Sequence, residues 1–178
     1  MALSPNSVFK LSGTGILDLS SFPRQIGDGN SAYSASLKRL EITDNARLTV
    51  SSLAPVMIRE RLDFDQGEIA AFLDSGVNSR APIQINDGGT FVYGKNNKLG
   101  PANLYMVISD EDARQQQGSW NVIDGEVENA DELARNTYLL IPALENELSS
   151  NDAIDFVEVN GVVSVSYTHL TLPTTPYV

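Results

Sequence analysis

Three aspartates sit in short linkers of similar composition: Asp44 in TDNAR, Asp65 in DQGEI and Asp87 in NDGGT. If the linkers align, Asp44 and Asp87 hold equivalent positions and Asp65 stands one position earlier. Two carboxylates brought together by neighbouring segments can divide labour, one donating a proton to a leaving group while the other activates water. The same pair could hold a calcium ion through its oxygens, although neither TDNAR nor NDGGT follows the calcium nonapeptide repeat. Against both chemistries, Asp is an ordinary turn residue because its side chain bonds to nearby backbone. These three therefore read first as solvated turn aspartates. Arg47 is the one linker residue that could neutralise an acidic substrate.

Other chemistry is sparse. The one histidine, His169, lies in the terminal stretch VSYTHLTLPTTPYV. Back-translation of Val165 to Thr174 permits the codons GTC TCT TAT ACA CAT CTG ACG CTG CCG ACG. That string resembles the transposase-end adapter of fragment sequencing libraries. Residues 164–178 are accordingly read as a non-native tail, with the natural chain interrupted near Val163. Without His169 there is no imidazole for a Ser-His-Asp triad or a zinc site. The GTG of Gly13 to Gly15 lacks the third glycine of a dinucleotide fingerprint, and GDGN carries no phosphate-loop lysine. Both read as turns. No catalytic residue, metal ligand or cofactor is assigned. Trp120 and Tyr105 could stack on a flat sugar face, yet a lone aromatic is more often a packing residue. Outward positions Lys10, Glu41, Asp63 and Gln84 form no aromatic or basic stripe.

Composition bounds the partners. With 178 residues and 42% hydrophobic residues the chain can bury a core. A formal charge of -11 repels nucleic acid and anionic membranes. The absence of cysteine removes disulfides and thiolate chemistry without fixing a compartment. No apolar run approaches the roughly 20 residues that span a bilayer, and MALSPNSVFKL lacks a basic region followed by an apolar one, so no signal peptide is visible.

The elements that would position these residues appear as a repeat. Apolar-x-apolar, five linking residues, then apolar-x-apolar occurs four times: Phe9/Leu11 with Leu17/Leu19, Leu40/Ile42 with Leu48/Val50, Leu62/Phe64 with Ala70/Phe72, and Ile83/Ile85 with Phe91/Tyr93. Alternation marks strands with one buried face. Unit starts are separated by 31, 22 and 21 residues, and Leu104 in LYMVI follows 21 residues later. The first interval shortens to the others if RQIGDGNSA is an inserted loop. A further pair, Val56 and Ile58, follows Leu40 by 16 and 18 residues. Repetition at this period predicts an all-β parallel solenoid with coils of about 21–22 residues, because one coil cannot bury its apolar face alone. Ladders of Leu11, Ile42, Phe64 and Ile85 in one wall and Leu17, Leu48, Ala70 and Phe91 in another are expected. The alternatives are a β-sandwich or meander and a leucine-rich repeat on Leu37, Leu40, Ile42 and Asn45. In the latter the next leucine falls one residue late.

LSGTGILDLSS, LEITDNARLTVSS and PIQINDGGTFVYG resemble coils of the pectin-lyase-like parallel β-helix superfamily, particularly bacterial surface adhesins, over about residues 8–108. The resemblance implies a right-handed β-helix, a cell-surface or secreted location, a structural or adhesive role and a glycan or a cell surface as partner. It also keeps open a polysaccharide lyase or glycoside hydrolase whose active coils lie further along. Such enzymes place aspartates on neighbouring coils.

The organisation expected is therefore solenoid coils over 1–108, an insertion, cap or junction over 109–153, the start of a further coil or domain over 154–163, and the tail over 164–178. In NADELARNTYLLIPAL a helix is expected, capped by Asn129 or Asp131, with Leu133 and Tyr138 to Leu140 on its apolar face and Pro142 as its bound. AIDFVEVNGVV resumes alternation and carries an Asn-Gly turn signal.

Overall fold

The computed structural model describes residues 5–20, 34–73, 80–94, 102–108, 117–140, 153–159 and 162–168, the last two segments and residues 117–119 and 139 by backbone alone. Strands β1 (Val8–Leu11), β3 (Ala35–Ile42), β5 (Val56–Phe64), β7 (Ile83–Ile85) and β10 (Gln117–Asp124) lie side by side in one sheet, where β8 (Thr90–Tyr93) and β11 (Glu126–Glu128) also pair. Strands β2 (Ile16–Asp18), β4 (Arg47–Ser51), β6 (Gly67–Leu73), β9 (Ala102–Ile108) and β12 (Thr137–Leu140) form a second sheet in chain order. The chain thus passes from the first sheet to the second and back with each repeat. All these neighbours pair in parallel. Among the described strands the antiparallel pairs are those of β14 (Val162–Thr168), with β13 (Ala153–Val159) on one side and β10 on the other. The protein is therefore mostly β, built on parallel sheets.

Period-two alternation builds the core. In β3 and β4 the inward residues Leu40, Ile42, Leu48 and Val50 are all fully buried. Parallel pairing in register then stacks like on like: Leu11, Ile42, Phe64 and Tyr93 follow one another across the first sheet, as do Leu40, Leu62, Phe91 and Val127. Phe64 meets Phe91 and Tyr93 edge-on, at centroid distances of 6.3 and 5.8 Å, an arrangement that aligns ring edges with ring faces. The Tyr93 hydroxyl donates to the Ala102 carbonyl at 2.7 Å inside this core. Burial first, and the nearby charge of Glu132 second, push the Tyr93 pKa up to about 12.

Corners between the sheets are themselves laddered. Backbone bonds join Thr43 N to Leu11 O, Asn45 N to Gly13 O and Glu68 N to Ala46 O at 2.9–3.0 Å. The third corner is tighter, and Gly67 at φ 88° makes it possible. Any Cβ there would collide with the Ala46 carbonyl oxygen.

That short corner corrects the expected ladders. In the third repeat Ile69, Ala71 and Leu73 point inward and Phe72 is exposed, so Ile69, not Ala70, continues the Leu17–Leu48 row. In the fourth, Ile83 and Ile85 pair with Val56 and Ile58, while Phe91 and Tyr93 pair with Leu62 and Phe64. The long strand β5 thus faces two short ones, because exposed Arg59 and Glu60 interrupt its alternation and the Asn86–Gly89 turn lies against that break. Phe91 consequently belongs to the first sheet, and Leu104 continues the second behind Ile69. Separations of 21–22 residues hold between the second and third repeats, as in Leu48–Ile69 and Leu40–Leu62. They grow to 31 at Leu11–Ile42, 35 at Ile69–Leu104 and 40 at Ile83–Ile123. Connections of different length, and not a fixed coil length, account for the spacing.

The boundary expected at residue 108 is not where the sheets stop. Strands β10, β11 and β12 continue them by parallel pairing with β7, β8 and β9. The helix is also shorter than the sequence implied. Helix α1 (Ala130–Arg135) ends at Asn136, and Tyr138 to Leu140 belong to β12, since pairing with β9 outweighs helical propensity there. Pro142 and the Asn-Gly step lie outside the described residues, as do RQIGDGNSA and His169. Residues 164–168 of the tail take part in β14.

Candidate functional site

The three linker aspartates do not converge. Asp44, at φ 59°, is exposed at a sheet-to-sheet corner, where its Oδ2 accepts from Gly13 N at 2.9 Å. This bond fastens one corner to the next. Asp65 is buried at the following corner, its own amide donating to Ile42 O at 3.1 Å. Asp87 is exposed in the turn between β7 and β8, inside the first sheet and not at a corner. The alignment of Asp44 with Asp87 therefore fails, for the same reason that Ile83 pairs with Val56. Arg47 is engaged by Glu68, with Nε donating to Oε2 at 2.7 Å. Among the described residues no group of three or more His, Cys, Asp or Glu is placed to hold a metal ion.

Charged side chains on the outer face of the first sheet bind strand to strand. Lys10 pairs with Glu41 at 2.9 Å and Lys38 with Glu60 at 3.3 Å. Asp63 accepts from Arg39 at 2.6 Å and Arg61 at 2.7 Å, and its side chain is 4% exposed although it points outward. Its hydrogen bond and charge raise the Arg39 pKa above the ordinary guanidinium value. Gln84 stands beside Met57 in a different row from Lys10, Glu41 and Asp63. The face is a set of ion pairs, cross-strand at Lys10–Glu41, Lys38–Glu60 and Arg39–Asp63 and within β5 at Arg61–Asp63.

The outer face of the second sheet differs. Thr49, Ala70, Tyr105 and Tyr138 are consecutive in-register neighbours, as are Ser51, Phe72, Val107 and Leu140. Phe72, Tyr138 and Leu140 are 42%, 46% and 42% exposed. The Tyr105 and Tyr138 rings stack at a centroid distance of 5.5 Å with 29° between planes. Parallel pairing forces this arrangement, because identical positions on neighbouring strands lie one strand spacing apart, about 4.8 Å. Tyr105 alternates with the buried Leu104 and Met106 and so faces outward, whereas the sequence pattern puts its partner Tyr138 on a helix. The residues' separation in sequence hides the pair, and only the shared tyrosine identity could have signalled it. Trp120, by contrast, is buried, so it offers no ring to a ligand at the surface. An open hollow of about 490 Å³ also lies beside α1, lined by Val127, Asn129, Asp131, Glu132 and Arg135 among others. Its wall is occupied by structural contacts such as Asn129 Nδ2 donating to Tyr93 O at 2.8 Å.

No helix among the described residues is long and apolar enough to cross a membrane. Comparison with protein-family models, with curated proteins and with solved structures finds no match to this chain.

Proposed function

We propose that the chain is a stretch of a closed, right-handed parallel β-solenoid whose role is structural and adhesive, at a bacterial cell surface or in secreted form. The observation that carries the reading is the alternation of the chain between two parallel sheets with in-register apolar ladders. Such an array exposes long rows of side chains at regular spacing, which suits extended contact better than a single reaction centre. Right-handed closure follows the general preference of parallel crossovers. The carboxylates that could have formed an acid-base pair support the same reading, since Asp44 fastens a corner while Asp87 lies apart from it in the turn between β7 and β8. The surface location rests on the resemblance of LEITDNARLTVSS and PIQINDGGTFVYG to adhesin coils. The partner would be a glycan or the surface of another cell.

Crystallographic coordinates of the chain would test closure and hand. The role is tested by coating beads with the full chain and counting the cells retained, while the chain lengths of added polysaccharides are followed in parallel. Retention without depolymerisation supports adhesion. Depolymerisation would overturn it in favour of a lyase or hydrolase.

A further inference from the structure

From the outer face of the second sheet we infer that the gap above Ala70, walled by the Tyr105 ring, is a binding slot for one uncharged pyranose ring of a glycan. The inference rests on the adhesive reading and names the part of the surface that makes contact. Tyr105 has two ring faces. One meets Tyr138; the other looks toward β6, where the in-register residue is Ala70. A tyrosine at that position would extend the stack by a third rung. The small side chain leaves the rung empty, and a rung of about 4.8 Å is close to the distance at which a sugar ring rests on an aromatic face.

The surroundings select the kind of ring. Beyond Ala70 the same row continues with the Thr49 hydroxyl, and one flank carries the Arg47–Glu68 pair in register with Asn103. The opposite flank is Phe72, in a row continued by Val107 and Leu140. The slot therefore has an aromatic wall and an apolar side against a hydrogen-bonding side. A pyranose has this division, with C–H groups on its face and hydroxyls around its rim. A purely apolar protein side chain would leave the polar flank unanswered. Charge favours a neutral sugar. The one charged side chain in the aromatic rows is the carboxylate of Asp18, in register with Thr49; Arg47 is already neutralised by Glu68, and the chain's formal charge of -11 adds to the opposition to uronic or sialic acids. Tyr138, on the edge strand of the sheet, buttresses Tyr105 from behind.

The test is saturation-transfer NMR on the full chain with cellohexaose, maltohexaose and hexagalacturonate as probes. Transfer to the ring C–H protons of a neutral hexasaccharide is expected. Ala70→Tyr, which fills the rung, and Tyr105→Leu, which removes the wall, should each weaken that binding about tenfold or more. Circular dichroism and thermal unfolding verify that both variants remain folded, and the two act on opposite sides of the slot. The inference is overturned if neither neutral probe receives saturation, if hexagalacturonate binds best, or if binding survives both substitutions. Loss of the slot in this way leaves cell retention by the coated beads intact if adhesion uses another surface. Cleavage of the hexasaccharides would instead overturn the non-catalytic reading while the slot stands.

Discussion

Replacing Ile69 and Ala70 one at a time measures the register of β6 in solution. Alternation carried forward from the other repeats puts Ala70 and Phe72 inside, whereas the corner at Gly67 brings Ile69, Ala71 and Leu73 into the core. Ile69 is fully buried, between Leu48 and Leu104 on the adjacent strands. Ile69→Ala removes Cγ1, Cγ2 and Cδ1. At about 0.8 kcal/mol for each buried group of methylene size, the transfer loss is about 2.4 kcal/mol. A cavity that collapses only in part, between strands held by ladder hydrogen bonds, raises the cost to about 3–4 kcal/mol. Ala70→Asp puts a carboxylate on the outer face and should change stability by no more than about 0.5 kcal/mol. Urea unfolding followed by circular dichroism, with linear extrapolation and a comparison of slopes, resolves a difference of this size. If Ala70→Asp costs more than Ile69→Ala, Ala70 lies in the core, and the register argument and the slot above Ala70 fall together.

Gly67→Ala should destabilise by about 2 kcal/mol or more, since it adds left-handed strain to a collision with Ala46 O. Gly88→Ala, also at positive φ but in open space, should cost about 1 kcal/mol, and equal losses in the same urea assay would contradict the close corner. Asp63→Asn leaves the partly exposed Arg39 and Arg61 without their shared carboxylate, and a loss of about 1–2 kcal/mol is expected, because water can solvate the freed guanidinium groups; no measurable loss would mean that both pairs are screened like ordinary surface bridges. The Tyr93 hydroxyl titrates at about 12 in the folded protein and near 10 when unfolded. Its contribution is therefore fully present below about pH 10 and is lost as pH rises toward 12. Tyr93→Phe should lose about 1 kcal/mol at pH 7 with the bond to Ala102 and fall less steeply than the parent between pH 10 and 12. Parallel curves for the two proteins would remove Tyr93 as the source.

Strands and their buried faces could be read locally. Leu40, Ile42, Leu48 and Val50 alternate within a few residues, and a side chain's face in a strand depends only on its neighbours along the chain. The linker chemistry was equally local, so the GTG of Gly13 to Gly15 reads as a turn, and Gly13 adopts φ 66° at a corner. Pairing between strands is not local. Equal spacing pointed Ile83 at Leu62, but the break at Arg59 and Glu60 and the turn at Asn86 to Gly89 shift it to Val56. One residue fewer at the third corner turns Phe72 outward and Ile69 inward, because a shift of one residue in a period of two exchanges the faces.

The same distinction applies to function. The sequence by itself determined that the chain carries alternating strands, Gly- and Asp-rich turns, an acidic balance and a single histidine, His169. Tertiary structure decided which of these side chains meet. It separated Asp87 from Asp44, closed two arginines over Asp63, buried Trp120 and stacked Tyr105 on Tyr138 across 33 residues of chain. The physical reason is that a strand's pattern is set by the geometry of its own backbone. A site between strands depends instead on the lengths of all the connections that bring them into register.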